Sequence, residues 1–382
     1  MTLTARRFQP EDWAALGPIL ALSFNVPLSG WDLFRQRLGD PGFTVVEQDG
    51  QIIGGCGVYA TGQRWLDRDL PLAGVAGVGV APNARGLGAA RFLMEAVLRD
   101  QAERGVPVAG LYPATQTVYR TVGYEQAGER VQFEAPLASL YGFRPEVEVR
   151  PAGPDDEAEI RRRYRPVHGN MARCPAMWDR VFRGPGAVPR HAWLIGDQGY
   201  VVLQHAPVDN PHHDLELVDL AVPDGPSIRT LLAFLAGHRS LASKVRWFGH
   251  PQDELLAFVP EPTWRVVQHQ RWMLRIVNFV AALQGRGWPQ GVEGELDLEV
   301  DDSLLPANHG RFRLQVGAGQ ARVQRGGSGA LRLPIASLGP LFSGALPASI
   351  LARWGRAQGE DEALATADRL FQAPTPWMRE MY

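Results

Sequence analysis

The stretch GVAGVGVAPNARGLGAAR, residues 74–91, decides the fold. Its first part predicts a buried strand, because Val75, Val78 and Val80 are β-branched and are spaced by Gly and Ala, residues that let a second backbone or a flat ligand come close. A short loop, Pro82-Asn83-Ala84, leads into Arg85-Gly86-Leu87-Gly88-Ala89-Ala90, which opens a helix continuing through Phe92, Leu93, Ala96, Val97 and Leu98. A helix N-terminus presents free backbone N–H groups, and together with the helix dipole these favour a phosphate. Arg85 adds a cation, and Gly86 and Gly88 keep side chains out of the way. A glycine-rich turn by itself is also what a tight strand-to-helix connection needs, so the rest of the chain has to decide.

The chain of 382 residues has room for two to three domains. Its net charge of −2 gives no global basic field for nucleic acid. Lys244 is the only lysine, so nearly every cation is Arg. No apolar run is long enough for a transmembrane helix, and MTLTARRFQPEDW at the start lacks the apolar core of a signal peptide. Two cysteines are too few for a disulfide scaffold, and Cys56 in an apolar strand reads as an inert core thiol. These features predict a cytoplasmic, multi-domain protein with no membrane insertion.

Outward from residues 74–91 the expected order is strand, two helices, three strands, helix, strand, helix, strand. Residues 3–8 read as the first strand. Pro10-Glu11-Asp12 starts a helix that breaks between Phe24 and Trp31 at Pro27 and Gly30, and Trp31 begins a second short helix. Residues 43–47 and 51–60 read as a hairpin about Asp49-Gly50. Residues 106–112 read as a strand, Thr115 to Tyr119 as a helix start, and Gly123-Tyr124 as the close of the unit. From Val147 the pattern repeats weakly, with a hairpin about residues 197–199, a strand at 215–222 and a helix at 228–239. The repeat has Pro223-Asp224-Gly225-Pro226-Ser227 in place of the glycine-rich turn, and Asp224 repels a pyrophosphate. His205, His212, His213 and Asp214 lack zinc-site spacing and read as a solvated loop. Residues 273–382 change character: a short helix, four alternating strands within 294–334, then three helices, an α+β pattern. The last residues carry Trp377, Met378, Met381 and Tyr382, unusual for a chain end, and predict a docked terminus.

Arg85-x-x-Gly88-x-Ala90 after a Val-x-Val strand resembles the pyrophosphate loop of the GNAT acetyltransferases. It is neither a Walker loop, since no Gly-Lys-Ser/Thr follows, nor a dinucleotide fingerprint. With Tyr119 in VYRTVGY, LRIVNFVAALQGRG from Leu274 and the aromatic terminus, the whole chain resembles the enhanced intracellular survival (Eis) family. That resemblance implies two tandem GNAT-like α/β domains, the second degenerate, followed by an α+β sterol-carrier-protein-like domain. The expected divisions are 1–135, 136–272 and 273–382. It also implies a homohexamer using acetyl-CoA, with no metal, on a small-molecule amine.

Residue by residue, the resemblance puts Val78, Gly79 and Val80 along the pantetheine arm, and Arg85, Gly86, Leu87, Gly88, Ala89, Ala90 and Arg91 around the pyrophosphate. Ala114 and Thr115 fall beside the thiol end. Tyr119 corresponds to the general acid and the Tyr382 carboxylate to the general base, while Phe24 and Trp31 are candidates for the acceptor wall. Two departures reduce negative charge at the acceptor, Met381 before the last aromatic and Asn25 after Phe24. Both weaken the case for a polycationic acceptor such as an aminoglycoside or polyamine. The chemistry itself is plausible for these groups. An alkylammonium with a pKa of about 10 must lose a proton before it attacks a thioester. A free α-carboxyl, normally about 3.5, becomes a better base when burial disfavours its anion. A tyrosine hydroxyl can protonate the departing thiolate, and backbone N–H groups near Val80 can polarise the thioester carbonyl. The competing readings are a carrier that binds CoA or lipid without catalysis, and a tandem-GNAT acetyltransferase acting on a thiol conjugate.

Overall fold

The structure is a computed structural model that describes residues 2–184, 188–207 and 213–382. The first elements are β1 (Leu3–Arg7), α1 (Trp13–Phe24), α2 (Leu28–Leu38), β2 (Phe43–Gln48), β3 (Gln51–Trp65), β4 (Arg68–Val80), α3 (Ala89–Glu103), β5 (Val108–Leu111), α4 (Gln116–Arg120) and β6 (Glu125–Pro136). This is the expected order, with two local differences. Helix α2 begins three residues before Trp31, because Asn25, left-handed at φ 51°, ends α1 and Pro27 stands at the next N-cap. The expected break is present between Phe24 and Leu28, but it is made at Asn25, Pro27 caps the next helix, and Gly30 lies inside α2. Strands β3 and β4 form a hairpin far longer than residues 51–60 suggest, turning at Leu66 with φ 54°. No Gly or Asn marks that turn, so the usual hairpin signal is missing.

The second stretch contributes β7 (Val149–Ala152), α5 (Glu157–Arg163), β8 (Met171–Ala172), α6 (Pro175–Phe182), β9 (His191–Ile195), β10 (Gly199–Pro207), β11 (His213–Ala221), α7 (Gly225–Ala236), β12 (Ala242–Gly249), α8 (Glu254–Phe258) and β13 (Arg265–Ile276). All of these strands join the first six in one 13-stranded sheet. From the central antiparallel pair β13–β6, one side runs β5, β4, β3, β2, β1 and the other β12, β11, β10, β9, β7. Both sides share the same pairing pattern: β4–β5 and β11–β12 are parallel, and the remaining pairs are antiparallel. The two halves are thus repeats that exchange their last strands. Strand β6, which follows the first half in sequence, pairs with β12, while β13 pairs with β5.

The exchange is visible in the cores. Met273 and Val277 pack with Leu93, Val97 and Leu111 of the first half. Val131, Phe133 and Ala135 pack with Leu215, Leu231 and Val245 of the second. A division at 272/273 falls inside β13, so residues 273–276, read as the start of a third unit, complete the first half of the large sheet. Likewise Gly123-Tyr124 does not close the first half in space. The histidines read as a solvated loop lie instead on strands, His205 on β10 and His213 on β11, with rings 4.1 Å apart. His212 lies outside the described residues.

The third unit comprises α9 (Phe279–Gly285), β14 (Gly294–Asp301), β15 (Gly310–Gly317), β16 (Gln320–Arg325), β17 (Leu331–Pro334), α10 (Ile335–Ser343), α11 (Ala348–Arg353), β18 (Gln358–Gly359) and α12 (Asp361–Phe371), with its own five-stranded sheet. Its interior is occupied by the fully buried Arg286, whose guanidinium lies 4.6, 5.0 and 5.4 Å from the rings of Trp288, Phe342 and Phe371. Burial pushes that guanidinium down to about 9.

Candidate active site

The site is built where β4 and β5 part. Their parallel pairing runs from Leu72–Val108 to Val75–Leu111 and stops. Just beyond, β4 carries a bulge: Gly55 faces Gly79 and Gly57 faces Ala76, so Gly77 and Val78 stand opposite the single residue Cys56. Gly77 at φ 61° permits the bulge. Gly79 and Val80 therefore pair with β3 alone, Val78 lies in the bulge, and none of the three has a β5 partner. Cys56 is fully buried, and burial pushes its thiol up to about 12, consistent with a core thiol that does no chemistry.

Past β4, the turn Pro82–Ala84 delivers the chain to α3. Gly86 and Gly88 have φ of 80° and 82°, and a Cβ built on either meets nothing within 4 Å. Gly88 is the N-cap of α3 and no side chain caps it, so the first-turn N–H groups stay available. Arg85 is exposed, its Nε donating only weakly to the Val80 carbonyl at 3.4 Å. Arg91 is turned along the helix to Glu95. Ala114 and Thr115 are exposed at the start of α4, where Thr115 is the N-cap.

Tyr119 is buried, and burial pushes its hydroxyl up to about 12, so it holds its proton at neutral pH. Its ring packs on Tyr124 at 6.2 Å, and burial pushes the Tyr124 hydroxyl up as well. The last residue is seated between the two strands. Gly74 of β4 and Gly110 of β5 are register partners, and a Cβ on them would come within 3.1 Å of the Tyr382 ring and 2.7 Å of its hydroxyl, respectively. The paired glycines make a bare floor that a Tyr ring fills. Tyr59 and Tyr112 pack edge-on to it at 6.3 and 5.9 Å. Phe24 and Trp31 are 5.2 Å apart, and the contacts Trp31–Phe34, Phe34–Tyr59 and Tyr59–Tyr382 continue an aromatic path to the terminus. Phe24, 40% exposed, is its open end.

How the terminus reaches this floor was not legible in the sequence. Strand β12 pairs with β6 only from Val131 to Pro136, and the tail takes the edge left free: Glu129 N–H donates to the Pro376 carbonyl and Met378 N–H to the Glu129 carbonyl. Arg130 then donates to the Arg379 carbonyl, and Tyr112 to that of Glu380. Arg379 and Glu380 are held by a buried ion cluster. Arg173 pairs with both Asp219 and Glu380, and Arg379 pairs with Asp219. Asp219 also accepts from the Tyr200 hydroxyl. Burial works against the Asp219 anion, but the attraction of Arg173 and Arg379 outweighs it and holds the carboxyl at about 2. Asp219 had a readable signal, an acid at alternate spacing from Leu215 and Leu217, but a bulge at Val218 turns it to the opposite face beside Val202 and Tyr200; an acid buried on either face requires partners.

Known protein families match this chain in three successive stretches. An acetyltransferase (GNAT) domain matches residues 4–127, a second acetyltransferase (GNAT) domain matches 169–276, and a sterol carrier protein domain matches 279–379. The chain is therefore two GNAT domains followed by a sterol-carrier-like domain. The N-acetyltransferase Eis of Mycobacterium tuberculosis is 29% identical over 98% of both chains. The crystal structure of a GCN5-related N-acetyltransferase from Anabaena variabilis is 33% identical and covers both chains completely, with a TM-score of 0.96. A GCN5-related N-acetyltransferase from Kribbella flavida is 28% identical over 100% of this chain and 98% of that one, with a TM-score of 0.89.

Proposed function

We propose, for a chain that belongs to the Eis-like GCN5-related N-acetyltransferases and is an acyl-CoA-dependent acetyltransferase, a specific reaction: transfer of acetyl from acetyl-CoA to the primary amine of a small molecule, aminoglycoside-, polyamine- or lysine-like. The observation that carries this reading is the seating of Tyr382 on Gly74 and Gly110 where β4 and β5 part.

In this reading the open turn from Arg85 to Arg91 takes the pyrophosphate, Val78 to Val80 pair with the pantetheine arm, and Ala114 and Thr115 border the thiol end. The Tyr382 carboxylate accepts the ammonium proton. The amine nitrogen then forms a C–N bond to the thioester carbonyl carbon while the C–S bond breaks, the sulfur takes the Tyr119 proton, and the second proton of the acylated nitrogen returns to Tyr119 to leave a neutral amide. Each proton transfer contributes roughly 10²–10⁴-fold. Phe24 and Trp31 wall the acceptor side. The units 1–135, 136–272 and 273–382 serve as catalytic, tail-anchoring and carrier-like parts, with the last strands of the first two exchanged. A cytoplasmic homohexamer is the assembly that the resemblance supports.

The test is thiol release from acetyl-CoA over a panel of amines. Tyr119→Phe is expected to lower kcat by roughly 10²–10⁴-fold and leave acetyl-CoA affinity intact. Release equal to wild type would remove Tyr119 from the chemistry.

A further inference from the structure

A cavity of about 340 Å³ lies between α6, the second half of the sheet and the docked tail. Six arginines line it, Arg37, Arg130, Arg173, Arg180, Arg190 and Arg379, against two carboxylates, Glu216 and Glu380. Most of these charges are already committed. Arg173 and Arg379 belong to the Asp219 cluster, and Glu380 is taken by Arg173. Arg37 pairs with Asp179, and Glu216 accepts from Gln204. Arg130 donates to the Arg379 carbonyl and to Gln270, and its guanidinium lies 3.2 Å from the centre of the Phe248 ring.

Arg180 and Arg190 are different. Among the described residues neither has a carboxylate in an ion pair, and the Nε of Arg190 is buried with no hydrogen-bond partner. Burial, and after it the nearby charges of Arg180 and Arg37, work against the Arg190 cation, which only Glu216 offsets. Half-buried cations that repel one another and leave a buried donor unused are costly unless an anion completes them. The cavity also adjoins the reaction. Met381 lines it, and the Arg180 charge lies near the hydroxyl of Tyr59, whose ring packs against Tyr382.

We propose that this cavity holds an anionic group of the acceptor, a carboxylate or a phosphate, on Arg180 and Arg190 while the acceptor's amine reaches Tyr382. Guanidinium groups suit both anions, since their planar donors meet two oxygens at once. The preferred acceptors are then amines that carry an anion: Glu380 gives Oε1 to Arg173 and keeps only Oε2 unpartnered, against two arginines without a carboxylate partner among the described residues. The proposal rests on the acetyl-transfer reading above and narrows it towards the lysine-like class.

The experiment uses the full chain and matched acceptors: ε-aminocaproate against its amide, phosphoethanolamine against ethanolamine, and spermidine as a polycation. The anionic member of each effective pair is expected to have a kcat/KM roughly 10- to 100-fold higher, with the advantage shrinking as salt is added. The ratio is expected to collapse towards one in Arg180→Gln and Arg190→Gln. The pair that responds tells carboxylate from phosphate. Equal use of both members in each pair, preference for spermidine, or variants that lower both members alike would overturn the proposal. If no amine is acetylated, the acetyl-transfer reading falls, and calorimetric titration of caproate and inorganic phosphate decides the anion site by itself. Binding that is lost in the double variant supports the site, and binding that is absent or unchanged in the variant removes it.

Discussion

The two halves of the large sheet start their helices in opposite ways. Each has a strand, a turn and a helix in the same place, β4 to α3 and β11 to α7. In the first half Gly88 caps α3 without a side chain, and nothing fills the space above Gly86 and Gly88. In the second half Asp224 caps α7 and accepts from the Ser227 N–H. Every helix has orphan N–H groups in its first turn. One half leaves them open, and the other satisfies them with its own carboxylate. The same strand–turn–helix arrangement holds either chemistry. The second half instead places a carboxylate inside its sheet, Asp219, and uses it to fix the chain's own end next to the first half's strands.

The largest expected effect comes from Asp219→Asn, which leaves Arg173 and Arg379 buried without their shared partner. It is expected to cost roughly 3–5 kcal/mol of unfolding free energy and to free the tail, so acetyl transfer falls with it. The pH dependence has a definite sign. The folded carboxyl stands at about 2, below its ordinary value of 3.8, so its stabilisation is complete above the ordinary value and is lost as pH falls through about 2. Urea unfolding at neutral pH and at about pH 3 reads this. Wild type should lose part of the difference between the two proteins on acidification, and a constant difference would show that the Asp219 charge does not carry the docking.

Giving the first turn the second turn's chemistry is the next test. Gly88→Asp places a carboxylate beside the proposed pyrophosphate site and is expected to weaken acetyl-CoA binding by roughly tenfold or more. The smallest effect belongs to the mirror-image change. Asp224→Ala removes a helix cap worth about 1 kcal/mol and leaves acetyl-CoA binding unchanged. If both changes weaken binding equally by calorimetry, the contrast between the halves is wrong.

Legibility followed the range of the interactions. Residues 74–91 were readable because a strand, a glycine turn and a helix start are local signals. The order of elements in the first half was readable for the same reason. The docked end was readable because Trp377 and Met378 are apolar where tails are polar, and both are buried. The exchange of β6 and β13 was not readable, since either strand satisfies the same apolar alternation beside β5 or β12 and only packing chooses. The long β3–β4 hairpin was missed because Leu66 stands where a turn residue is expected. Arg173, Arg180 and Arg190 lie close in sequence, but Asp219, Glu216 and Glu380 come from other segments and meet them only in the folded chain.

The central claim concerns the position of one carboxylate. Extending the chain by a single glycine after Tyr382 keeps the ring that fills the Gly74–Gly110 floor and converts the α-carboxyl into an amide. The account predicts that kcat for acetyl transfer falls by roughly 10²–10⁴-fold with acetyl-CoA affinity unchanged. An extended chain that turns over as fast as wild type would contradict it.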